Sequence, residues 1–114
     1  MLQSRENIEE GNKRLLRLAS YVERRQRALK CRGRRYNQEI LNYDCGAPAC
    51  MKGHFLVLWP GVKQYHSQEF FALSCMEHMN LFGVEGCGNA GRNWRKAVAY
   101  VRRFVANRRE LAAL

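Results

Sequence analysis

Asp44-Cys45-Gly46-Ala47-Pro48-Ala49-Cys50-Met51-Lys52-Gly53-His54-Phe55-Leu56-Val57-Leu58-Trp59 is the one stretch of this 114-residue chain that reads as interior from end to end. Pro48, with Asp44 and Gly46 ahead of it, punctuates the start of a helix, and Trp59-Pro60-Gly61 is a stop signal. Between them lie about three turns that are apolar on nearly every side, a pattern a helix carries when its neighbours cover it. Phe55 to Trp59 also has the length of a buried strand, and periodicity alone does not separate the two. The punctuation favours the helix. The expectation is a mainly α protein, a single compact domain over residues 1–114, with about four helices around a buried central helix.

Outward from that centre the chain becomes amphipathic and basic. Ser4 can cap a first helix whose positive end Glu6, Glu9 and Glu10 favour. Ile8, Leu15, Leu18, Val22 and Leu29 recur at spacings of three, four or seven and mark its buried stripe, while Lys13, Arg14, Arg17, Arg24 and Arg27 take the other side. Gly11 is expected to weaken the first turns by up to about 1 kcal/mol relative to Ala. Arg32-Gly33-Arg34-Arg35 reads as a charged turn, and Tyr36 to Tyr43 as a short connector. Beyond the centre, Ser67 with Glu69 starts a helix expected to run from Ser67 to Leu81, with Phe70, Leu73, Met76 and Leu81 facing inward. Gly83, Gly86, Gly88 and Gly91 mark a loop. The last helix is expected from about Arg92 to the C-terminus, with Trp94, Val98, Val101 and Val105 inside. Arg95, Arg102 and Arg109 repeat every seven residues outside, joined by Lys96 and Arg103.

A chain of this length buries roughly 65% of its unfolded surface, and 46% hydrophobic residues can fill one core without a metal or disulfide staple. The net charge is +10. Ten basic residues and one acid lie between Lys13 and Arg35, and seven basic residues and no acid between Arg92 and Arg109. Both terminal thirds therefore hold the positive charge, which favours a polyanionic partner: nucleic acid, an acidic protein surface or, less favoured, anionic lipid. Arginine outnumbers lysine, which suits planar bidentate contacts to phosphate or carboxylate. Tyr21, Tyr36 and Tyr100 could stack bases or pack at the core edge. Whether the two basic helices lie side by side is open at this level. No apolar run reaches the length of a membrane span, and the first residues lack a signal peptide's apolar region, so a cytoplasmic place and no membrane partner are expected. Five cysteines, an odd number, argue against a disulfide framework.

Three constellations could carry chemistry. Cys50 with His54 at a spacing of four and Cys75 with His78 at three could offer a Cys2His2 zinc tetrahedron from two adjacent helices, with Cys45 and His66 as replacements. The plainer reading makes the cysteines small buried apolar residues, and a Cys45 to Cys50 disulfide is a further one. Cys50 as a thiolate with His54, His66 or His78 as base would make a thiol enzyme, but Met51, Phe55 and Leu56 around it suggest burial. Gly86-Cys87-Gly88-Asn89-Ala90-Gly91 fits G-x-G-x-x-G and opens a helix beside Arg92, where backbone N–H groups could hold an anion. A dinucleotide site would need a preceding strand, and a helix precedes it instead. No cofactor is expected, zinc being the one alternative.

Cys45-Gly46-Ala47, Cys50 and Gly53-His54, set between an amphipathic first helix and a basic last one, resemble a loose group of small uncharacterised bacterial and phage helical proteins with a Cys-Gly-Thr-x-x-Cys-x-x-Gly core. Ala47 departs from that pattern, which favours Thr. The resemblance implies a phage or mobile-element origin and a mainly helical fold, and assigns no reaction. The functional expectation is a non-enzymatic basic module that engages nucleic acid or a nucleoprotein complex through Arg14, Arg17, Arg24, Arg25, Arg27, Arg34, Arg35, Arg95, Arg102, Arg103 and Arg109. The alternatives are a phage-encoded inhibitor of a bacterial defence system, such as an anti-CRISPR, or of a transcription protein, and a zinc-binding or thiol enzyme.

Overall fold

The computed structural model describes residues 4–28, 51–82 and 94–114, and among these every regular element is helical. Helix α1 spans Arg5–Ala28. Its start is the expected one, since Asn7 N–H donates to Ser4 Oγ at 3.1 Å. Helix α5 spans Trp94–Ala112. The two helices lie against each other, Leu15, Leu18, Ala19 and Val22 of α1 sharing one core with Ala97, Val98, Val101 and Val105 of α5. They run antiparallel: Glu9 meets Arg109, Glu23 meets Arg102, and the Arg27 guanidinium stands 5.6 Å from the centroid of Trp94. The basic helices are therefore neighbours. Each Leu or Val taken fully out of water here contributes about 1.5–3 kcal/mol before chain entropy is counted.

Helix α2, Met51–Leu58, is the apolar helix expected from the central stretch. Met51, His54 and Phe55 face the core, Leu56 and Leu58 are half-buried, and Val57 is 44% exposed, so one edge of this helix meets solvent. Trp59 N–H still donates to the Phe55 carbonyl, after which Pro60 and Gly61 turn the chain and Val62 N–H donates to the Trp59 carbonyl at 3.0 Å. A single 3-10 turn, Gln64–His66, leads into the short helix α3, Ser67–Phe70.

The helix expected from Ser67 to Leu81 is broken. It ends at Phe70, and helix α4 covers Cys75–Phe82. The break is a Schellman closure: Leu73 N–H donates to the Gln68 carbonyl at 2.9 Å and Ala72 N–H to the Glu69 carbonyl at 3.0 Å, with Ala72 in the left-handed region at φ 53. Glycine usually holds that position, and alanine gives no warning of it. Helix α4 restarts on a reciprocal cap. Glu77 N–H donates to Ser74 Oγ at 3.2 Å, and Ser74 N–H donates to the Glu77 carboxylate at 2.8 Å. Ser67, read as a cap, is instead the buried first residue of α3, and His66 stands at the cap position without a side-chain hydrogen bond.

The corner between α3 and α4 holds an aromatic cluster. Phe71, fully buried, has ring centroids of Phe55, Phe70, Phe82 and Trp59 within 5.1 to 5.8 Å. Gly11 of α1 lies directly on this corner. A Cβ there would fall 2.6 Å from the Phe71 carbonyl carbon and closer still to its oxygen. The weak point expected of Gly11 is thus a site of close backbone approach. Arg108 of α5 clamps the same corner, donating to the carbonyls of Phe71, at 3.3 Å, and Ala72.

Candidate nucleic-acid interface

The pairing of α1 and α5 sets which cations face solvent and which are spent inside the protein. Along the seam, Arg102 donates to both carboxylate oxygens of Glu23 at 3.2 Å, and Arg109 Nε donates to both oxygens of Glu9 at 3.1 and 3.2 Å. Arg27 shares Glu23 at 3.5 Å. These contacts hold the Glu9 and Glu23 carboxyls below the usual carboxylate value, the hydrogen bond from Arg109 or Arg102 being the main cause in each case. Pairs this exposed contribute little to stability, because solvent screens them. Two arginines of the expected binding set are consequently neutralised in place.

Lys13, Arg17 and Arg24 on α1 and Arg103 on α5 are exposed and stand outside these ion pairs. Arg95 is exposed too and stands 5.0 Å from the Trp94 centroid, the ring that Arg27 also approaches. Arg25 is half-buried, and its Nε is closed off without a hydrogen-bond acceptor among the described residues. Arg34 and Arg35 lie outside the described residues. So do Cys50, Cys45 and the Gly86, Gly88, Gly91 and Arg92 cradle.

On the other flank of α1 the cations meet rings. Arg14 donates to the Phe70 carbonyl at 2.9 Å and lies 4.2 Å from the Phe70 centroid, with Glu10 at 3.8 Å. Arg17 stands 5.5 Å from the centroid of Trp59. Glu10, Lys13, Arg14, Arg17, Trp59 and Phe70 together line an open notch of about 500 Å³. Neither Trp59 nor Phe70 is among the binding candidates that the sequence offers. The available signal was an aromatic at the end of the apolar stretch and another on the following helix, but both read equally well as core.

Of the Cys and His candidates, His54, His66, Cys75 and His78 lie among the described residues. His54 is fully buried, its Nε2 3.1 Å from the Gln26 amide nitrogen, with the Tyr21 ring edge-on at 6.0 Å. His78 Nε2 lies 2.7 Å from Ser67 Oγ, and Cys75 is an exposed free thiol. Among the described residues no three His, Cys, Asp or Glu side chains are grouped to hold a metal ion.

Burial holds the His78 pKa below its ordinary 6.5, and the nearby Lys52 charge adds to this. The folded state therefore prefers neutral His78, while the unfolded chain takes up the proton as pH falls through that ordinary value. This contribution to stability is complete above it and is lost on acidification. The melting temperature should fall between pH 7 and pH 5 in thermal denaturation followed by circular dichroism, and His78→Gln should flatten that slope. Equal slopes in the two proteins would refute the assignment. The Glu9 and Glu23 contributions are lost only at more acidic pH, below their ordinary 4.5, so the two effects separate.

No family model, curated protein or solved structure matches the chain. No helix among the described residues is long and apolar enough to cross a membrane.

Proposed function

We propose that this chain is a non-enzymatic binding module that grips nucleic acid with the solvent face shared by α1 and α5. The observation that carries the reading is the adjacency of these two helices, each of which presents exposed cations. Lys13, Arg17, Arg24, Arg95 and Arg103 remain exposed after Glu9 and Glu23 have taken Arg109 and Arg102. Such a surface neutralises phosphates and releases their counterions, which gives affinity that is strong in low salt and indifferent to sequence. It needs no reacting group.

The test is fluorescence anisotropy of labelled oligonucleotides titrated with the protein across a salt series. Affinity should fall by a factor on the order of 100 or more between about 50 and 200 mM salt and vary little with base sequence. Micromolar protein that shifts no oligonucleotide at the lowest salt would overturn the reading.

A further inference from the structure

We infer that the notch beside the basic face holds unpaired bases, so that the preferred partner is a single strand; this rests on the nucleic-acid reading above. The rings of Trp59 and Phe70 are half-buried and 4.9 Å apart, and they form the apolar part of the notch whose rim is Lys13, Arg14 and Arg17. Phe70 also lines a second notch of about 510 Å³ with Gly61, Val62, Lys63, His66 and Glu69. The two notches are thus consecutive, joined at one ring. Just past them Tyr65 is 71% exposed, its ring 4.4 Å from that of His66 and 5.8 Å from Lys63 Nζ.

An exposed tyrosine, a histidine and two half-buried rings, with Lys63 beside Tyr65, Arg14 beside Phe70 and Arg17 beside Trp59, form the combination that single strands use: bases on π-faces, phosphates on nearby positive charge. Bases paired in a duplex keep their faces stacked and cannot enter notches of this kind. A duplex could use the α1–α5 cations alone. The fit also divides labour between the arginines. Arg14 is held by the Phe70 carbonyl and keeps that ring in place. Arg17 is exposed and only loosely over Trp59, free to turn to a phosphate while the indole takes the base. Glu10 and Glu69 at the rims are outnumbered by Lys13, Arg14, Arg17 and Lys63.

The experiment uses Trp94→Phe as background, which leaves Trp59 as the one tryptophan of the chain. Oligothymidylate of about twelve nucleotides should quench Trp59 fluorescence and bind roughly tenfold tighter than a duplex of equal length at the same salt. Tyr65→Ala and Lys63→Ala, both at exposed positions that leave the melting temperature in place, should weaken the strand about fivefold or more and leave the duplex unchanged. Trp59→Phe should retain most of the strand affinity, and Trp59→Leu should lose it. Equal, salt-sensitive binding of strand and duplex, with Trp59 fluorescence unmoved, overturns this inference and leaves the basic face standing. Binding of neither overturns both.

Discussion

Reversing Lys13, Arg17 and Arg24 to glutamate together should reduce affinity for any nucleic acid by a factor on the order of 100 or more at low salt. All three side chains are exposed, so the folded state has little to lose: surface changes of this kind stay within about 0.5 kcal/mol each. Binding loses three phosphate partners and gains three repulsions. The slope of log affinity against log salt should flatten by about 0.7 to 0.9 for each lost phosphate contact. The carboxylates of the seam give a prediction of opposite sign. Glu9→Gln with Glu23→Gln releases Arg109 and Arg102 from their pairs, raises the net charge by two and should tighten binding and steepen the slope. Salt titration of the three proteins, with melting temperatures as the check on folding, decides the matter. Unchanged slopes in both variants would place the interface elsewhere.

The residues that were legible in the sequence are those whose role depends on near neighbours. Ser4 caps α1 because a hydroxyl at that position reaches the next turn, whatever the rest of the chain does. The stripes Leu15, Leu18, Val22 and Val98, Val101, Val105 follow from helical period alone. The cap formed by Ser74 and Glu77 is hidden in the sequence, because Ser67 with Glu69 offers a competing start and the run from Phe70 to Leu81 looks continuous. Ala72 was not legible, because the left-handed corner it occupies is normally announced by glycine. The site divides in the same way. That the helix faces are basic is a property of each helix. Which arginines are spent on Glu9 and Glu23 depends on how far α5 slides along α1, and no local pattern encodes that offset. Trp59 and Phe70 become site residues only once Arg14 and Arg17 lie across them, a relation over more than 40 positions of chain.

Gly11→Ala should destabilise the protein by about 1–3 kcal/mol, although the same change in an isolated helix stabilises by up to about 1 kcal/mol. The sign reverses because the added methyl meets backbone. Its neighbours would be the carbonyl of Phe71 and, at 3.1 Å, the Ala72 Cβ. That carbonyl cannot yield as a flexible side chain would. It sits in the turn closed by Leu73 and Ala72 N–H and is gripped by Arg108, while the Phe71 ring is fully buried among four other aromatic rings. Moving it means shifting α1 away from the corner and opening the core that α1 shares with α5. For a domain of this size the loss corresponds to a melting temperature lower by roughly 5–15 °C. An increase would show that propensity wins and that the corner yields to a methyl group at this position. A double-mutant cycle sharpens the result. Arg108→Ala removes the clamp on the Phe71 and Ala72 carbonyls, so Gly11→Ala should cost less in that background than alone, and the coupling should lie in the range of about 0.5–3 kcal/mol typical of groups that share a partner. Additive losses would mean that the corner is held by its own turn and its buried rings, with Arg108 a bystander.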